Sequence, residues 1–361
     1  MIAFSAISQE EFLSDYWQKK PLLIKQALPG FISPLSPNEL AGLSLEEEFE
    51  SRLVTGAIKN NRWSLTEGPF SEETFTKLPE SDWTLLIQGV DRFIPEVESL
   101  INHFNFIPRW RFDDVMISYA AKGGSVGPHF DLYDVFLLQG SGKRHWALSR
   151  QHCNLDNYLA GVPLRIMKQF VAEQHFDVEA GDILYIPPKI AHHGVSLSND
   201  CTSLSFGYRS YSAKEMFEDS SDGKDDSYYQ DPVWSIDNCP ALIPDSALKM
   251  ANKISRISAV GFAEFVTKLD PLDQQILQQF EYQQQGIEFD SNTNYQLHPA
   301  CKIAYVEIDN TICVFINGAL LDDSDVDENS LITFCNQRDL TMVDSSILVQ
   351  RLFDLNLVQK E

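Results

Sequence analysis

The sequence predicts an α+β protein, on three observations. Between Arg111 and Val195, short apolar runs alternate with polar positions and are punctuated by Gly and Pro, the pattern of strands and turns. From Ala247 to Phe280, apolar residues recur at helical spacing. Beyond about residue 285, strand-like runs and one helix-like run follow each other closely. The 361 residues allow two or three domains and an ample core.

The run from Pro128 to Gly140 alternates over its first half and then turns apolar, which reads as one strand entering a buried sheet. Side chains at i and i+2 of a strand point the same way, so His129, Asp131 and Tyr133 should share a face, with Phe130 and Leu132 on the other. An inward carboxylate needs a partner, because an unpaired buried charge is costly. A metal held by His129 and Asp131 would supply it. Gly140-Ser141-Gly142 marks a turn, and Lys143 to Leu148 begins a second strand with Arg144 and Trp146 on one face. Near a metal, Arg144 would suit a carboxylate, since guanidinium donates in a planar fork.

Ala180-Gly181-Asp182 turns into a strand from Ile183 to Ile186, and Pro187-Pro188 ends it. His192 or His193 then opens the next strand. Neighbours on a strand face opposite ways, so at most one of the two should bind metal. Two histidines and one carboxylate on one face of a metal ion leave positions open, which suits non-haem Fe(II) oxygen chemistry.

A domain boundary is expected near residue 212. Residues 213–240 carry eight acids against Lys214 and Lys224, centred on Ser220-Ser221-Asp222-Gly223, which reads as an exposed connector anchored by Tyr228, Tyr229 and Trp234. Ala247, Leu248, Ala251, Ile254 and Ile257 begin a helical pattern that Phe262, Phe265, Val266 and Leu269 continue and Pro271 breaks. A second helix holds Leu272, Ile276, Leu277 and Phe280. Further on, Asp309-Asn310 joins strands Ile303 to Ile308 and Ile312 to Ile316, Asn317-Gly318 is another turn, and Ser345 to Leu355 looks helical.

The formal charge of −24 disfavours binding to nucleic-acid phosphates and suits a basic protein partner. Six scattered cysteines without a C-x-x-C pair read as free thiols of a reducing cytoplasm. No apolar run of about 18 residues predicts a membrane span, and the N-terminus lacks a secretory pattern.

These motifs together resemble the JmjC branch of the cupin-fold oxygenases that depend on iron and 2-oxoglutarate. The run from Phe12 to Ile24 resembles the opening of bacterial JmjC proteins. Arg111 to Tyr119, Gly127-Pro128-His129-Phe130-Asp131, Gln139 to Trp146 and Gly181 to Pro188 are similar to the bacterial ribosomal oxygenases, which hydroxylate an arginine of large-subunit ribosomal protein sixteen. The resemblance is specific from about residue 10 to residue 212.

The resemblance implies a double-stranded β-helix, or jelly roll, over residues 1–212. It also implies a helical dimerisation region at 213–283 and a winged-helix-like module at 284–361 that, at net −9, should not bind nucleic acid. It assigns His129, Asp131 and His192 as Fe(II) ligands, His192 standing four residues after the second proline and two before a glycine. Arg144 and Ser118 would hold the far carboxylate of 2-oxoglutarate, and molecular oxygen would be the co-substrate. If Ser118 faces the barrel interior, strand alternation turns Met116 and Asp114 inward too. Asp114, Met116 and Tyr133 are then the expected substrate pocket, Asp114 pairing with a substrate guanidinium. His145 is a departure, where relatives tend to carry another basic residue, but it should face away from the iron. The resulting expectation is a cytoplasmic, homodimeric hydroxylase of a basic ribosomal protein. Two readings compete with it: a JmjC hydroxylase or demethylase of another protein residue, and a non-catalytic acidic cupin-like binding protein.

Overall fold

The computed structural model describes residues 2–57, 62–216, 227–235, 237, 239–322, 325–343 and 345–360. The centre of the acidic connector, Ser220-Ser221-Asp222-Gly223 with Lys224, lies outside the described residues. The chain divides into two compact units, one of residues 1–104 and 113–209, the other of residues 105–112 and 210–361.

The first unit is built from twelve strands among its described residues: β1 (Leu22–Ile24), β2 (Ser51–Ala57), β3 (Arg62–Glu67), β4 (Trp83–Ile87), β5 (Phe112–Ala120), β6 (His129–Phe130), β7 (Asp134–Ser141), β8 (Lys143–Ser149), β9 (Gln174–Glu179), β10 (Ile183–Ile186), β11 (Ala191–Ser196) and β12 (Cys201–Tyr208). One sheet runs β1-β10-β7-β12-β5-β4-β2-β3 and the other β6-β11-β8-β9. The cluster of Val135, Leu137, Leu184 and Ile186 from the larger sheet with Trp146, Leu148 and Val178 from the smaller fills the space between them. This is the jelly-roll arrangement of two facing sheets.

The other face of β7 is also buried. Phe136 lies 4.9 Å from Phe104 and Tyr185, 5.7 Å from Tyr208, 5.8 Å from Phe12 and 5.9 Å from Trp17, ring to ring. Burial on both faces is why the sequence loses its alternation after Tyr133. Each such ring contributes roughly 2–3 kcal/mol of apolar burial.

The single strand expected from Pro128 to Gly140 is two. β6 and β7 belong to different sheets, and Asp131, Leu132 and Tyr133 bridge the gap outside either strand. The reason is Asp134. Its buried carboxylate accepts from the Tyr185 hydroxyl at 2.5 Å and from Gln18 Nε2 at 3.0 Å, which ties the chain into the larger sheet there. The backbone NH of Lys189 donates to the Asp131 carbonyl at 2.7 Å and holds the bridging turn.

In the second unit, α1 (Asp245–Ser255), α2 (Ala259–Thr267) and α3 (Pro271–Gln284) replace the two helices read from spacing. The first pattern breaks at Arg256, whose φ is 51°, and Ser258 caps the next helix by accepting from the Gly261 NH at 3.0 Å. Tyr229 and Trp234 are buried, and Arg111 pairs with Asp231 at 2.8 Å with its guanidinium over the rings of Tyr211 and Tyr229. Further along, β13 (Tyr295–Leu297) pairs with β17 (Val358–Lys360), while β14 (Ile303–Ile308), β15 (Thr311–Ile316) and β16 (Ala319–Leu320) form a meander. Asp309 and Asn310 have φ of 51° and 60°, the left-handed pair that a tight hairpin turn requires. Helices α4 (Glu328–Gln337) and α5 (Ser346–Asp354) bury Phe334, Leu348 and Leu352 against Tyr305 and Val314.

Candidate active site

β6 and β11 are short antiparallel neighbours, and their register sets His129 directly opposite His192. The two rings therefore meet on one face, 4.2 Å apart. Asp131, just beyond the end of β6, brings Oδ2 to 3.5 Å from His192 Nε2 and 3.9 Å from His129 Nε2. The three side chains offer ligand atoms within 4.8 Å of one another, a spacing that could hold one metal ion.

The imidazoles are also set for that role. His129 Nδ1 lies 3.0 Å from the Gly127 carbonyl and His192 Nδ1 lies 3.1 Å from the Ile190 carbonyl. A carbonyl only accepts, so each Nδ1 carries the proton and each Nε2 keeps its lone pair toward the shared space. Burial, then the neighbouring His129, pushes the His192 pKa down to about 4, so His192 is a neutral donor near pH 7. His193 faces the other way. It pairs across from Ala147 and packs near Phe170, with burial first and then His129 lowering its pKa to about 4.

On β8, Arg144, Trp146 and Leu148 pair with Ser196, Gly194 and His192 of β11, so Arg144 and Trp146 share the face of His192. Gly194 permits this. A Cβ there would lie 2.6 Å from the Trp146 ring, and that indole sits 5.8 Å from His192. Arg144 is buried, and its Nε and Nη2 have no hydrogen-bond partner among the described residues. Unpaired buried guanidinium donors are costly, and a bound carboxylate would satisfy both. Two imidazoles and one carboxylate thus converge on one point, with a buried guanidinium on the same sheet face.

Residues 99–216 match the family model of the JmjC domain. The chain carries a JmjC domain. Over 232 residues it is 39% identical to the ribosomal protein uL16 3-hydroxylase of Escherichia coli, covering 62% of this chain and 59% of that protein. A probable ribosomal oxygenase of Haemophilus influenzae is 40% identical over 229 residues, 63% of this chain and 55% of that protein. The aligned part thus spans less than two thirds of either curated relative. Among solved structures, the E. coli ribosomal oxygenase YcfD in complex with cobalt and 2-oxoglutarate superposes over 99% of both chains with a TM-score of 0.68 at 26% identity. Another YcfD structure superposes with a TM-score of 0.72 at the same identity and coverage.

The first unit holds a cavity of about 440 Å³, lined by His129, Asp131, Tyr133, Met116, Arg52 and the loop residues Tyr158 and Arg165, among others. Phe130 stacks on Tyr158 at 5.5 Å, which fixes that loop as a wall. Met116 and Tyr133 line the cavity as expected from alternation, though Tyr133 comes from the bridging turn and not from a strand. Ser118 is buried on β5, its hydroxyl 3.5 Å from the Ser203 carbonyl. Asp114 is also buried, but it is not among the lining residues. Its Oδ2 accepts from Gln88 Nε2 at 2.5 Å and from the Gly89 NH at 2.9 Å, and burial, then Asp113 and Asp91, raise its pKa to about 7. Arg52 and Gln88 join this site without having been read from the sequence. The one available signal was the alternation of Arg52 and Val54 along β2, both facing the cavity.

Proposed function

We propose that this chain is an Fe(II)- and 2-oxoglutarate-dependent protein hydroxylase acting on the β-carbon of an arginine in ribosomal protein uL16. The observation that carries the proposal is the triad of His129, Asp131 and His192 with both Nε2 atoms free to donate, on the sheet face where Arg144 keeps two donors unpaired. The names of the E. coli and H. influenzae relatives support the oxygenase reading, and the first supports uL16 as substrate.

Bound by the triad, Fe(II) supplies the oxygen chemistry in which 2-oxoglutarate is oxidised to succinate and carbon dioxide and one oxygen atom enters the substrate. Arg144 takes the far carboxylate of 2-oxoglutarate in a two-pronged, charge-assisted contact, and Ser118 donates a hydroxyl beside it. Trp146 shields His192 from water on the same face. Met116 and Tyr133 bracket the substrate side chain, and Asp114 stands behind them, held by Gln88 and the Gly89 NH. The acidic surface draws in a basic ribosomal protein without a nucleic-acid site. No helix among the described residues is long and apolar enough to cross a membrane.

Iron-dependent release of succinate from 2-oxoglutarate, stimulated by a uL16 peptide, is the expected result. Its absence would favour a non-catalytic acidic binding protein. The same proposal makes the protein a homodimer joined through residues 213–283. Light scattering at micromolar concentration should give about twice the 41.0 kDa of one chain, and a monomer mass would leave those helices as intrachain packing.

A further inference from the structure

Arg52 and Gln88 link the cavity wall to the buried Asp114. Arg52 lines the cavity beside Met116, Tyr133 and Asp131, whereas Gln88 and Asp114 do not. Arg52 Nη2 donates to Gln88 Oε1 at 2.7 Å, and Gln88 Nε2 donates to Asp114 Oδ2 at 2.5 Å. The orientation of Gln88 is fixed from both ends. A guanidinium can only donate, so Oε1 must face Arg52, and the amide nitrogen then faces the carboxylate. The same Nη2 lies 3.8 Å from the Met116 sulfur. Arg52 therefore stands among the groups expected to surround a substrate arginine.

Its hold there is slight. Arg52 has no carboxylate within salt-bridge distance among the described residues, and its buried Nε has no hydrogen-bond partner. A cation held by one neutral acceptor, with another donor left unsatisfied, loses little on leaving for water. Its backbone stays fixed meanwhile, because Arg52 pairs with Glu67 on β3 and Leu86 on β4. Motion is confined to the long, flexible side chain.

We propose that Arg52 is a resident stand-in for the substrate guanidinium. It occupies the Gln88 acceptor until an incoming arginine displaces it and takes that acceptor, with Asp114 acting through Gln88 as a positioning residue. The idea rests on the arginine-hydroxylase reading above and adds a gate to it. A neutral or apolar side chain lacks the donor to compete for Gln88 and would leave Arg52 in place. A substrate guanidinium brings the same donors and can exchange for it.

The test is steady-state hydroxylation of a uL16-derived arginine peptide by the iron-loaded protein, with wild type, Arg52→Met and Gln88→Leu compared. Removing the competitor should lower the peptide KM of Arg52→Met by about three- to tenfold, with kcat within about twofold and the 2-oxoglutarate KM unchanged. Gln88→Leu should raise the peptide KM by a similar factor. A peptide KM that rises or stays the same in Arg52→Met overturns the proposal, the first outcome making Arg52 a direct substrate contact. If Arg52→Met does not fold, a crystal structure of the wild-type protein with the peptide decides. Substrate guanidinium on Gln88 Oε1, with Arg52 swung away, supports the gate, and Arg52 still on Gln88 rejects it. Failure of the wild type to hydroxylate the peptide would strike the hydroxylase reading itself and is a separate result.

Discussion

His192→Ala should abolish oxygenase turnover and iron binding, while His193→Ala keeps most of both. The two residues are adjacent and both buried enough to be held neutral near pH 7, so burial does not separate them. Register does. His192 lies across from His129 with its Nδ1 proton on the Ile190 carbonyl, leaving Nε2 turned to Asp131. His193 lies across from Ala147, on the opposite face of β11. Removing His192 leaves one histidine and one carboxylate, too few to fix a first-row metal in an open facial site. Removing His193 costs packing of about 1 kcal/mol and no ligand. Iron binding and succinate release, measured on both variants, check this. Retained iron in His192→Ala with loss in His193→Ala would move the site by one register.

Arg144→Met should raise the apparent KM for 2-oxoglutarate by about tenfold or more, since a charge-assisted pair is worth roughly 1.5–3 kcal/mol. Iron affinity should barely change, because Arg144 lies four residues along β8 from Leu148, the residue opposite His192. Stability supplies an independent readout. Arg144 Nε and Nη2 are unpaired and buried, so the free protein carries an unsatisfied group that the variant removes. The variant should melt no lower than wild type in buffer, yet lose the rise in Tm that 2-oxoglutarate gives the wild type. An unchanged 2-oxoglutarate KM would remove Arg144 from the co-substrate site.

Much of the scaffold was legible because strand parity and turn chemistry are local. Asp309 and Asn310 turn where their residue types predict, and Ile183 to Ile186 is a strand ended by Pro187. Parity said only that one of His192 and His193 could face His129, and the choice of His192 came from the resemblance; the register of β6 and β11 sets His192 opposite His129. What local pattern could not supply was sheet membership. The split between β6 and β7 depends on Asp134 meeting Tyr185 and Gln18, partners far away in sequence. The break at Arg256 was hidden because apolar spacing continues across it, and only the Ser258 cap marks it. Arg52 and Gln88 were missed for the same physical reason. Arg52 lines the cavity from β2, and Gln88, just past the end of β4, stands behind it, joined through a contact network that no single run of sequence contains.

The most direct test of the central claim is tandem mass spectrometry of a uL16 peptide incubated with the protein, Fe(II), 2-oxoglutarate and oxygen. One added oxygen on the β-carbon of an arginine, absent when 2-oxoglutarate is omitted and absent with Asp131→Ala, is the predicted result. Succinate release with the oxygen on another residue type, or an unmodified peptide under full turnover conditions, would contradict it.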